Sequence, residues 1–426
     1  MPGHLDTFVA AQRDAGRLVV QPRMGFGPVA TMRDGLERVA ALDVPVVGTL
    51  TLDSYTRVGD HVTPLERLAA GEEVNGYPLV SHPPDATREL LAGLLGPEFP
   101  VQVRHGTALP QAVIRRSVAV GLDATEGGPV SYCLPYSRLP LAVAVDAWAE
   151  SCRVLAGESE HGHVESFGGC LLGQLCPPSL LVAVAVLEAL FFRQHGVRHV
   201  SLSYAQGTLA EQDRGAIRAL RLLAAEHLAD MTWHVVLYTY MGMFPRTPRG
   251  ATALIADSAR LARHAGCERL IVKTVSEAWQ IPSVQENVGA LLLASDAAQG
   301  SDLLAADDDP DARGFQDEVL AEARLLVDTV LDLDADVGRA LVRAFERGLL
   351  DIPFCLHADN RGATRCAIDD RGALVWSQLG MLPIGGARSR SAGPELRSDQ
   401  LFAMLDHVAS RYDSLQPATP RRGAPR

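Results

Sequence analysis

Residues 199–239 contain the pattern that decides the fold of this chain. Two apolar runs, His199-Val-Ser-Leu-Ser203 and His234-Val-Val-Leu-Tyr-Thr239, enclose a segment with helical periodicity, Glu211–His227. Apolar runs without strict alternation are typical of parallel strands that are covered on both faces. A strand, a helix and a second strand in this order predict a parallel βαβ unit.

The same unit recurs along most of the chain. We predict further strands at Arg17–Gln21, Pro45–Leu50, Val101–Arg104, Val118–Leu122, Leu270–Lys273 and Leu350–Phe354. We predict further helices at Asp34–Leu42, Asp85–Leu95, Leu139–Leu155, Ser179–His195, Ala251–His264 and Pro282–Ala297. Another run, His163–Phe167, is too weak to be assigned as a strand. About eight such units predict an α/β fold of the (β/α)8 TIM-barrel type, which we expect to span residues 1–355.

After the barrel we expect an α+β extension over residues 356–415. The segment Thr364–Trp376 predicts a β-hairpin whose turn lies at Asp369–Gly372. The acidic stretch 305–311 is interpreted as a solvated linker. Residues 416–426 are rich in Pro and Arg, and we predict that this tail is disordered.

Composition excludes several classes of protein. The chain has 426 residues and a net charge of −12, and such a field repels nucleic acid. Its seven cysteines form no C-x-x-C pair and are explained by reduced thiols. We find neither a secretory signal nor a stretch long enough to span a membrane. We therefore expect a soluble cytoplasmic protein.

Three arginines follow or end predicted strands: Arg23, Arg57 and Arg104. The carboxyl ends of barrel strands meet at one rim, where active sites are built. A guanidinium grips a carboxylate through two parallel hydrogen bonds, so three that converge would clamp a substrate with two carboxylates. Taken singly, each could equally be an ordinary surface arginine.

The segment 125–136 adds a carboxylate and two phenols to this rim. Glu126 precedes two glycines, which permit close approach of backbone or ligand, and Tyr132 and Tyr136 follow shortly after. An ionised Glu126 could hold a substrate ammonium while the tyrosines donate to a carboxylate. The alternative is a glycine-rich turn with two half-buried core tyrosines.

Two further sets of residues leave their roles open. Lys273 and Glu277 are four residues apart after a strand, which fits either a helical ion pair or a grip on ribose hydroxyls. The histidine pairs His161/His163 and His195/His199 lack partners at metal-ligand spacing, so we interpret them as solvent-exposed and predict no metal site.

Together these motifs resemble the large catalytic (epsilon) subunit of adenosylcobalamin-dependent glutamate mutase, also called methylaspartate mutase. The resemblance runs in family order through residues 21–23, 52–57, 102–107, 126–136, 176–179, 241–245, 271–277 and 351–354. It therefore covers nearly the whole chain. Such a series of separate motifs is far more specific than a lone glycine motif.

The resemblance implies a role for each site residue. Arg23, Arg57 and Arg104 would bind the two substrate carboxylates, Glu126 the substrate amino group, and Tyr132 and Tyr136 would complete these contacts as catalytic groups. Lys273 and Glu277 would position the ribose of the adenosyl group. Gly127, Phe167 and Tyr238 would also contact the cofactor. The family reaction interconverts L-glutamate and (2S,3S)-3-methylaspartate through radicals, which makes the enzyme an isomerase.

The chain departs from the family in two places and lacks one motif. About twenty residues precede the Gln-Pro-Arg strand where the family has a longer helical arm, and Tyr238 stands where the family has a histidine. The cobalamin-binding string Asp-x-His-x-x-Gly is missing. The resemblance thus implies that a small cobalamin-binding (sigma) subunit ligates the cobalt, and that the large subunit dimerises within a heterotetramer. Two alternatives remain: a paralogue that acts on another amino dicarboxylate, and a non-catalytic regulatory barrel.

Overall fold

Eight parallel strands form a barrel in the computed structural model, which describes residues 4–301, 309–385 and 397–415. The strands are β1 (Val19–Pro22), β2 (Gly48–Thr51), β3 (Val101–Arg104), β4 (Ala124–Gly127), β5 (His163–Ser166), β6 (His199–Ala205), β7 (Thr232–Tyr238) and β8 (Arg269–Val272). Strands β2 to β8 pair in chain order, and β1 pairs with β8. A bridge between Val20 and Val46 closes the ring. The predicted (β/α)8 barrel is confirmed.

Helices surround the sheet and extend beyond it. In the described residues they are α1 (His4–Asp14), α2 (Val29–Ala40), α3 (Ser54–Arg57), α4 (Thr63–Ala69), α5 (Pro84–Leu91), α6 (Gln111–Ala119), α7 (Leu141–Glu158), α8 (Pro178–Gln194), α9 (Ala210–His227), α10 (Pro248–His264), α11 (Val284–Gln299), α12 (Pro310–Leu331), α13 (Val337–Arg347) and α14 (Ser398–Asp413). Helix α8 is apolar on nearly all faces because α7, α9, α12 and α13 cover it. None of the described helices combines the length and hydropathy that a membrane span requires.

Two strand predictions were wrong, and the strands β4 and β5 were not predicted. Val118–Leu122 is the end of α6 and a turn, since a short apolar run does not distinguish a helix end from a strand. Residues 163–166 form β5. Its inward-facing side chains are polar, so it lacks the apolar run that predicted the other strands. Leu350–Phe354 is irregular: the backbone of Ile352 bonds to the side chain of Asn360 rather than to a strand.

The amino-terminal end of the barrel is closed by α1. Leu5, Phe8 and Val9 of this helix pack on Val19 and Val47 of the barrel floor. This apolar contact buries one face of α1, so the helix acts as a plug under the strands.

A charged cluster lies beside the plug and corrects the interpretation of the histidines. His163 is only 1% exposed, and its Nδ1 lies 3.0 Å from Oδ1 of Asp6. His199, 12% exposed at its side chain, lies 3.2 Å from the other carboxylate oxygen of Asp6. Burial alone would raise the pKa of Asp6, but these histidines and His234 hold it well below its usual range. His163 and His199 are therefore not solvent-exposed.

The same cluster has the spacing of a metal site. Ligand-type atoms of Asp6, His163 and His234 lie within 4.8 Å of one another. However, Nε2 of His163 is bound to Ser201 at 3.0 Å, and Nε2 of His234 faces Nε of Arg269 at 3.3 Å. Since ring nitrogens of both histidines already have partners, we interpret the cluster as a hydrogen-bonded network that holds α1.

The carboxy-terminal residues pack on the outside of the barrel. The predicted hairpin is confirmed as β9 (Arg365–Ile368) and β10 (Leu374–Gln378), with the turn between them. The side chain of Gln212 on α9 bonds to the backbone of Leu374, and Asp413 of α14 accepts from Thr247 at the start of α10. The domain boundary at residue 355 stays a prediction. The tail 416–426 and most of the stretch 305–311 lie outside the described residues.

Candidate active site at the carboxyl end of the barrel

The barrel brings nearly all predicted site residues to one end. Arg104 ends β3, Glu126 and Gly127 end β4, and Tyr238 ends β7. Arg23, Phe167 and Lys273 each directly follow a strand, and Arg57 ends the short helix α3 after β2. Parallel strands impose this convergence because all their carboxyl ends lie at the same rim.

Glu126 is the centre of this site. It is buried, and its Oε2 accepts hydrogen bonds from Nε of Arg104 at 2.7 Å and from the hydroxyl of Tyr238 at 2.6 Å. Its Oε1 accepts from the hydroxyl of Tyr132. Burial alone would raise the pKa of Glu126, but the Arg104 guanidinium and these hydroxyl donors lower it. The structure thus maintains a buried, charged carboxylate.

Arg104 offers a second edge to a ligand. Its Nε is used by Glu126, yet its buried Nη1 has no hydrogen-bond partner among the described residues. Burial would lower the pKa of Arg104, but Glu126 raises it well above the ordinary value, so the guanidinium is charged. The unpartnered Nη1 of Arg104 can bind the carboxylate of an amino acid, and the neighbouring Glu126 carboxylate can bind its ammonium group.

The glycines after Glu126 are required by packing. Gly127 has φ +134°, and a Cβ at this position would lie 2.5 Å from Trp148 and 2.6 Å from Tyr132. A Cβ on Gly128 would lie 2.0 Å from a carboxylate oxygen of Glu188. The two glycines therefore let the loop close over Trp148 and Glu188, and this fixes the ring of Tyr132.

Glu188 of α8 holds this loop from below. Its carboxylate accepts from the backbone N–H groups of Val130 and Ser131 at 3.1 and 2.8 Å, and from the hydroxyls of Ser131 and Ser166 at 3.0 Å. Burial raises its pKa to about 7. The donors lower the pKa, but they are all neutral and offset only part of the effect of burial. Glu188 is a buried carboxyl that supports the loop.

Arg57 stands apart from the charged centre. Asp53 caps α3 by accepting from the backbone of Tyr55 and Thr56, and this cap directs α3 along the rim. The side chain of Arg57 is exposed, and Gly106 lies beside its guanidinium. No hydrogen bond or ion pair engages Arg57 within the described ranges, so it remains available to a ligand.

Lys273 and Glu277 form an ion pair after β8. Their charged atoms are 3.1 Å apart, and Arg23 donates to the same oxygen of Glu277 at 2.9 Å. Burial lowers the pKa of Lys273 to about 8, Glu277 opposes this, and Arg23 adds to it. The structure therefore joins Arg23 to the predicted ribose-binding pair rather than to Arg57 and Arg104.

The aromatic residues form a chain across the site. The ring of Tyr132 lies 5.2 Å from Phe167 and 6.1 Å from Tyr136, and Phe167 lies 5.4 Å from Tyr238. Tyr136 is 54% exposed, whereas Phe167 and Tyr238 are buried. Tyr136 therefore borders the opening, and the other two lie beneath it.

Sequence reasoning missed Glu165, Glu188 and His105. Glu165 lies on β5, the strand that was left unassigned, and an acidic residue inside a strand run was the signal available. His105 follows Arg104, and burial lowers its pKa to about 4, so it is neutral. No local pattern marked Glu188 as a support, because its partners lie 57 and 58 positions earlier.

Several buried polar atoms at this end lack partners in the part of the chain that the structure describes. They are Nε of Arg23, Nη1 of Arg104, Nε2 of His105, Oγ1 of Thr239 and Oγ1 of Thr274. Buried polar groups are almost always hydrogen-bonded in native proteins. These atoms at the carboxyl end of the barrel are available to a polar ligand.

Comparisons with known proteins agree with this picture. The sequence model of the methylaspartate mutase E chain family matches residues 3–392. Proteins named glutamate mutase epsilon subunit are similar to the chain: that of Halobacterium salinarum is 32% identical over 92% of this chain and 83% of its own length. That of Escherichia coli O157:H7 is 31% identical over 87% and 79%, and that of Haloarcula marismortui 32% identical over 86% and 76%. The chain therefore belongs to the methylaspartate mutase E chain family.

Proposed function

We propose that the chain is the catalytic subunit of an adenosylcobalamin-dependent mutase that interconverts L-glutamate and (2S,3S)-3-methylaspartate. One observation carries the proposal: Arg104 binds Glu126 through Nε and leaves Nη1 free beside it. An α-amino acid bears its carboxylate and ammonium on one carbon, so a cation and an anion in direct contact are complementary to it. The names of the relatives support the same substrate.

The chain's own residues would bind and orient the substrate. The α-carboxylate would take Nη1 of Arg104, and the ammonium would bind Glu126. The exposed guanidinium of Arg57, on the same rim, would bind the second carboxylate. Tyr132 keeps Glu126 in place, and Tyr136, which is 54% exposed at the opening, would donate to a carboxylate. The buried walls around Glu126 would exclude water during the reaction.

The residues after β8 fit a nucleoside. Lys273, Glu277 and the unpartnered hydroxyl of Thr274 supply charged and polar groups for ribose hydroxyls. Bound there, adenosylcobalamin would supply the radical that starts the rearrangement. Arg23 would then act mainly by holding Glu277, to which it donates at 2.9 Å. To bind the substrate, Arg23 would first have to break this hydrogen bond.

A partner subunit is part of the proposal. The chain has no Asp-x-His-x-x-Gly string to ligate cobalt. Apolar side chains on the loops after β2 and β8 are strongly exposed: Val58 79%, Val62 65%, Trp279 68% and Ile281 59%. A small cobalamin-binding subunit docked on this end would cover them and bring the cofactor to the site. Dimerisation of the large subunit is likewise proposed, and the seven buried free thiols support a cytoplasmic location.

A second candidate rests on Tyr238. Its phenol contacts Glu126, and the family resemblance implies a histidine at this position. This difference at the ammonium site favours a paralogue that acts on another amino dicarboxylate.

Reconstitution tests the proposal. The purified chain is mixed with adenosylcobalamin, the cobalamin-binding subunit of a characterised glutamate mutase and L-glutamate, and 3-methylaspartate is followed by NMR. We expect product only when both subunits are present, and only weak binding of adenosylcobalamin by the isolated chain. Turnover of a different amino dicarboxylate would favour the paralogue. No turnover, with altered activity of an added authentic mutase, would favour a regulatory barrel.

A further inference from the structure

The hydroxyl of Tyr238 lies between two buried carboxylates. It is 2.6 Å from Oε2 of Glu126 and also within hydrogen-bond distance of Oε1 of Glu165. A phenol has a single hydrogen, so it donates to one of these carboxylates at a time. Its other contact is then an interaction between two acceptors, and the arrangement has two alternative hydrogen-bonded states.

Glu165 is the fixed member of this group. It is fully buried, and its Oε2 accepts from the guanidinium of Arg269 and from the hydroxyl of Ser201 at 3.1 Å. Ser201 in turn contacts His163, which is paired with Asp6 of the plug helix. A continuous line of contacts thus connects the closed end of the barrel to the second oxygen of Glu165.

Glu126 is the member that a ligand would reach. Arg104, Tyr132 and Tyr238 already donate three hydrogen bonds to it. A carboxylate has about four acceptor positions. The three donors leave about one position, so an ammonium group that donates two hydrogen bonds to Glu126 competes with one of these donors. Tyr238 has a second carboxylate available, whereas the ion pair with Arg104 would be costly to break.

We infer that Tyr238 and Glu165 are positioning residues for Glu126: when an ammonium group binds Glu126, the O–H of Tyr238 turns to Glu165. The inference rests on the proposed function, since it takes the ammonium site from there. No covalent bond changes, and one hydrogen bond is exchanged for another. Glu165 thereby sets how much of the Glu126 carboxylate is free for the substrate.

The charge state of Glu126 provides an independent measurement of this contact. Titratable groups face Glu126 from several elements: Arg104 and His105 after β3, Tyr132 and Tyr136 after β4, Glu165 on β5, Cys170 after β5 and Tyr238 on β7. Burial raises the pKa of Glu126, whereas Arg104, Tyr132 and Tyr238 lower it. Removing the Tyr238 hydroxyl removes one lowering contact, so the pKa of Glu126 must rise.

The test compares two ligands with the full chain. L-glutamate and glutarate have the same two carboxylates, and only L-glutamate has an ammonium group, so the ratio of their affinities by calorimetry reports the contact with Glu126. As pH falls, Glu126 becomes protonated and the preference for L-glutamate is lost. In Tyr238→Phe the pKa of Glu126 is higher, so we expect this loss to occur at a higher pH than in wild type. At mildly alkaline pH we expect it to be kept or increased, because the competing donor is gone.

A second variant keeps the hydroxyl of Tyr238 donating to Glu126. In Glu165→Gln the charged acceptor is lost, so Tyr238 stays on Glu126. We expect the preference for L-glutamate to fall about tenfold, the scale of one hydrogen bond to a charged group, with glutarate unchanged. If Glu165→Gln does not fold because Arg269 is left unpaired, Tyr238→Phe decides alone.

The outcomes separate the two proposals. A wild-type chain that shows no preference for L-glutamate over glutarate would refute the ammonium site of the proposed function. A wild-type preference, with Tyr238→Phe changing both affinities equally at every pH, would refute only the positioning role, since a merely structural tyrosine behaves in this way.

Discussion

Glu126 and Glu188 are both buried, and both accept hydrogen bonds from the segment 130–132, yet they differ in the chemistry of their partners. Glu126 is bound by a guanidinium and two phenols, and its pKa is lowered despite burial. Glu188 is bound by two backbone N–H groups and two hydroxyls, and burial raises its pKa to about 7. Neutral donors therefore do not offset desolvation at Glu188, whereas one buried cation does so at Glu126.

This difference separates a binding carboxylate from a supporting one. A charged carboxylate in a water-excluded site attracts an ammonium group strongly. A carboxyl that is close to half-protonated at neutral pH is suited to hold a loop through hydrogen bonds.

The largest effect is expected for Glu126→Gln. The variant keeps the shape but loses the charge, so turnover should fall roughly 10- to 1,000-fold. Because Arg104 is left as a buried unpaired cation, the melting temperature should fall as well, by the equivalent of about 3–5 kcal/mol. Turnover and melting are measured side by side, with turnover taken well below the melting temperature.

A double variant tests the cause of the lost stability. Glu126→Gln/Arg104→Met removes both charges, so we expect stability to recover while turnover stays low, because both residues bind the substrate in the proposed function. Recovery of turnover with stability would remove both Glu126 and Arg104 from the substrate site.

The next effect concerns stability rather than turnover, in Glu188→Gln. Between the ordinary pKa of 4.5 and about 7, the folded protein keeps a proton on Glu188 that the unfolded chain loses. The free energy of unfolding therefore falls as pH rises through this range, by on the order of 3 kcal/mol from this group. The amide that replaces the carboxyl is neutral throughout, so denaturant unfolding should show that this part of the pH dependence is lost. An identical pH slope in both proteins would contradict the assignment.

A smaller effect is expected for Arg57→Lys. A lysine cannot form the planar two-bond contact with a carboxylate, so kcat/KM should fall on the order of 100-fold with the fold intact. The matched control is Arg88→Lys on α5, where an exposed arginine pairs with Asp85 outside the site. Equal kinetics of the two variants would remove Arg57 from the substrate contacts.

The smallest effect concerns Lys273 and the cofactor. Its pKa of about 8 means that it loses its charge just above neutral pH. The apparent KM for adenosylcobalamin should then rise roughly three- to fivefold as pH passes 8, because a neutral amine makes weaker hydrogen bonds. Lys273→Arg stays charged and should show a flatter pH profile, which steady-state kinetics can measure. The same rise in both proteins would assign the titration to another group.

Sequence patterns predicted the architecture because they are local. Apolar runs and helical periodicity identify βα units from a few neighbouring residues, and the polar residues after the runs marked the rim that contains Arg104, Glu126 and Lys273. The errors arose where local signals conflict: β5 has polar residues facing a polar barrel interior, and residues 350–354 are apolar but bonded to a side chain.

The repeated units, the acidic charge and the residue types at the strand ends can be read from the amino-acid order. Which charges meet depends on how the barrel closes. Arg23 pairs with Glu277 across 254 positions, and Tyr238 reaches Glu126 across 112. Whether a carboxylate is charged or protonated depends on the sign of its nearest buried partner, and that partner is fixed by barrel closure rather than by neighbours in the chain. This is why Glu126 was identifiable as a candidate from the sequence, while the roles of Glu165, Glu188 and Tyr238 emerged only from the folded protein.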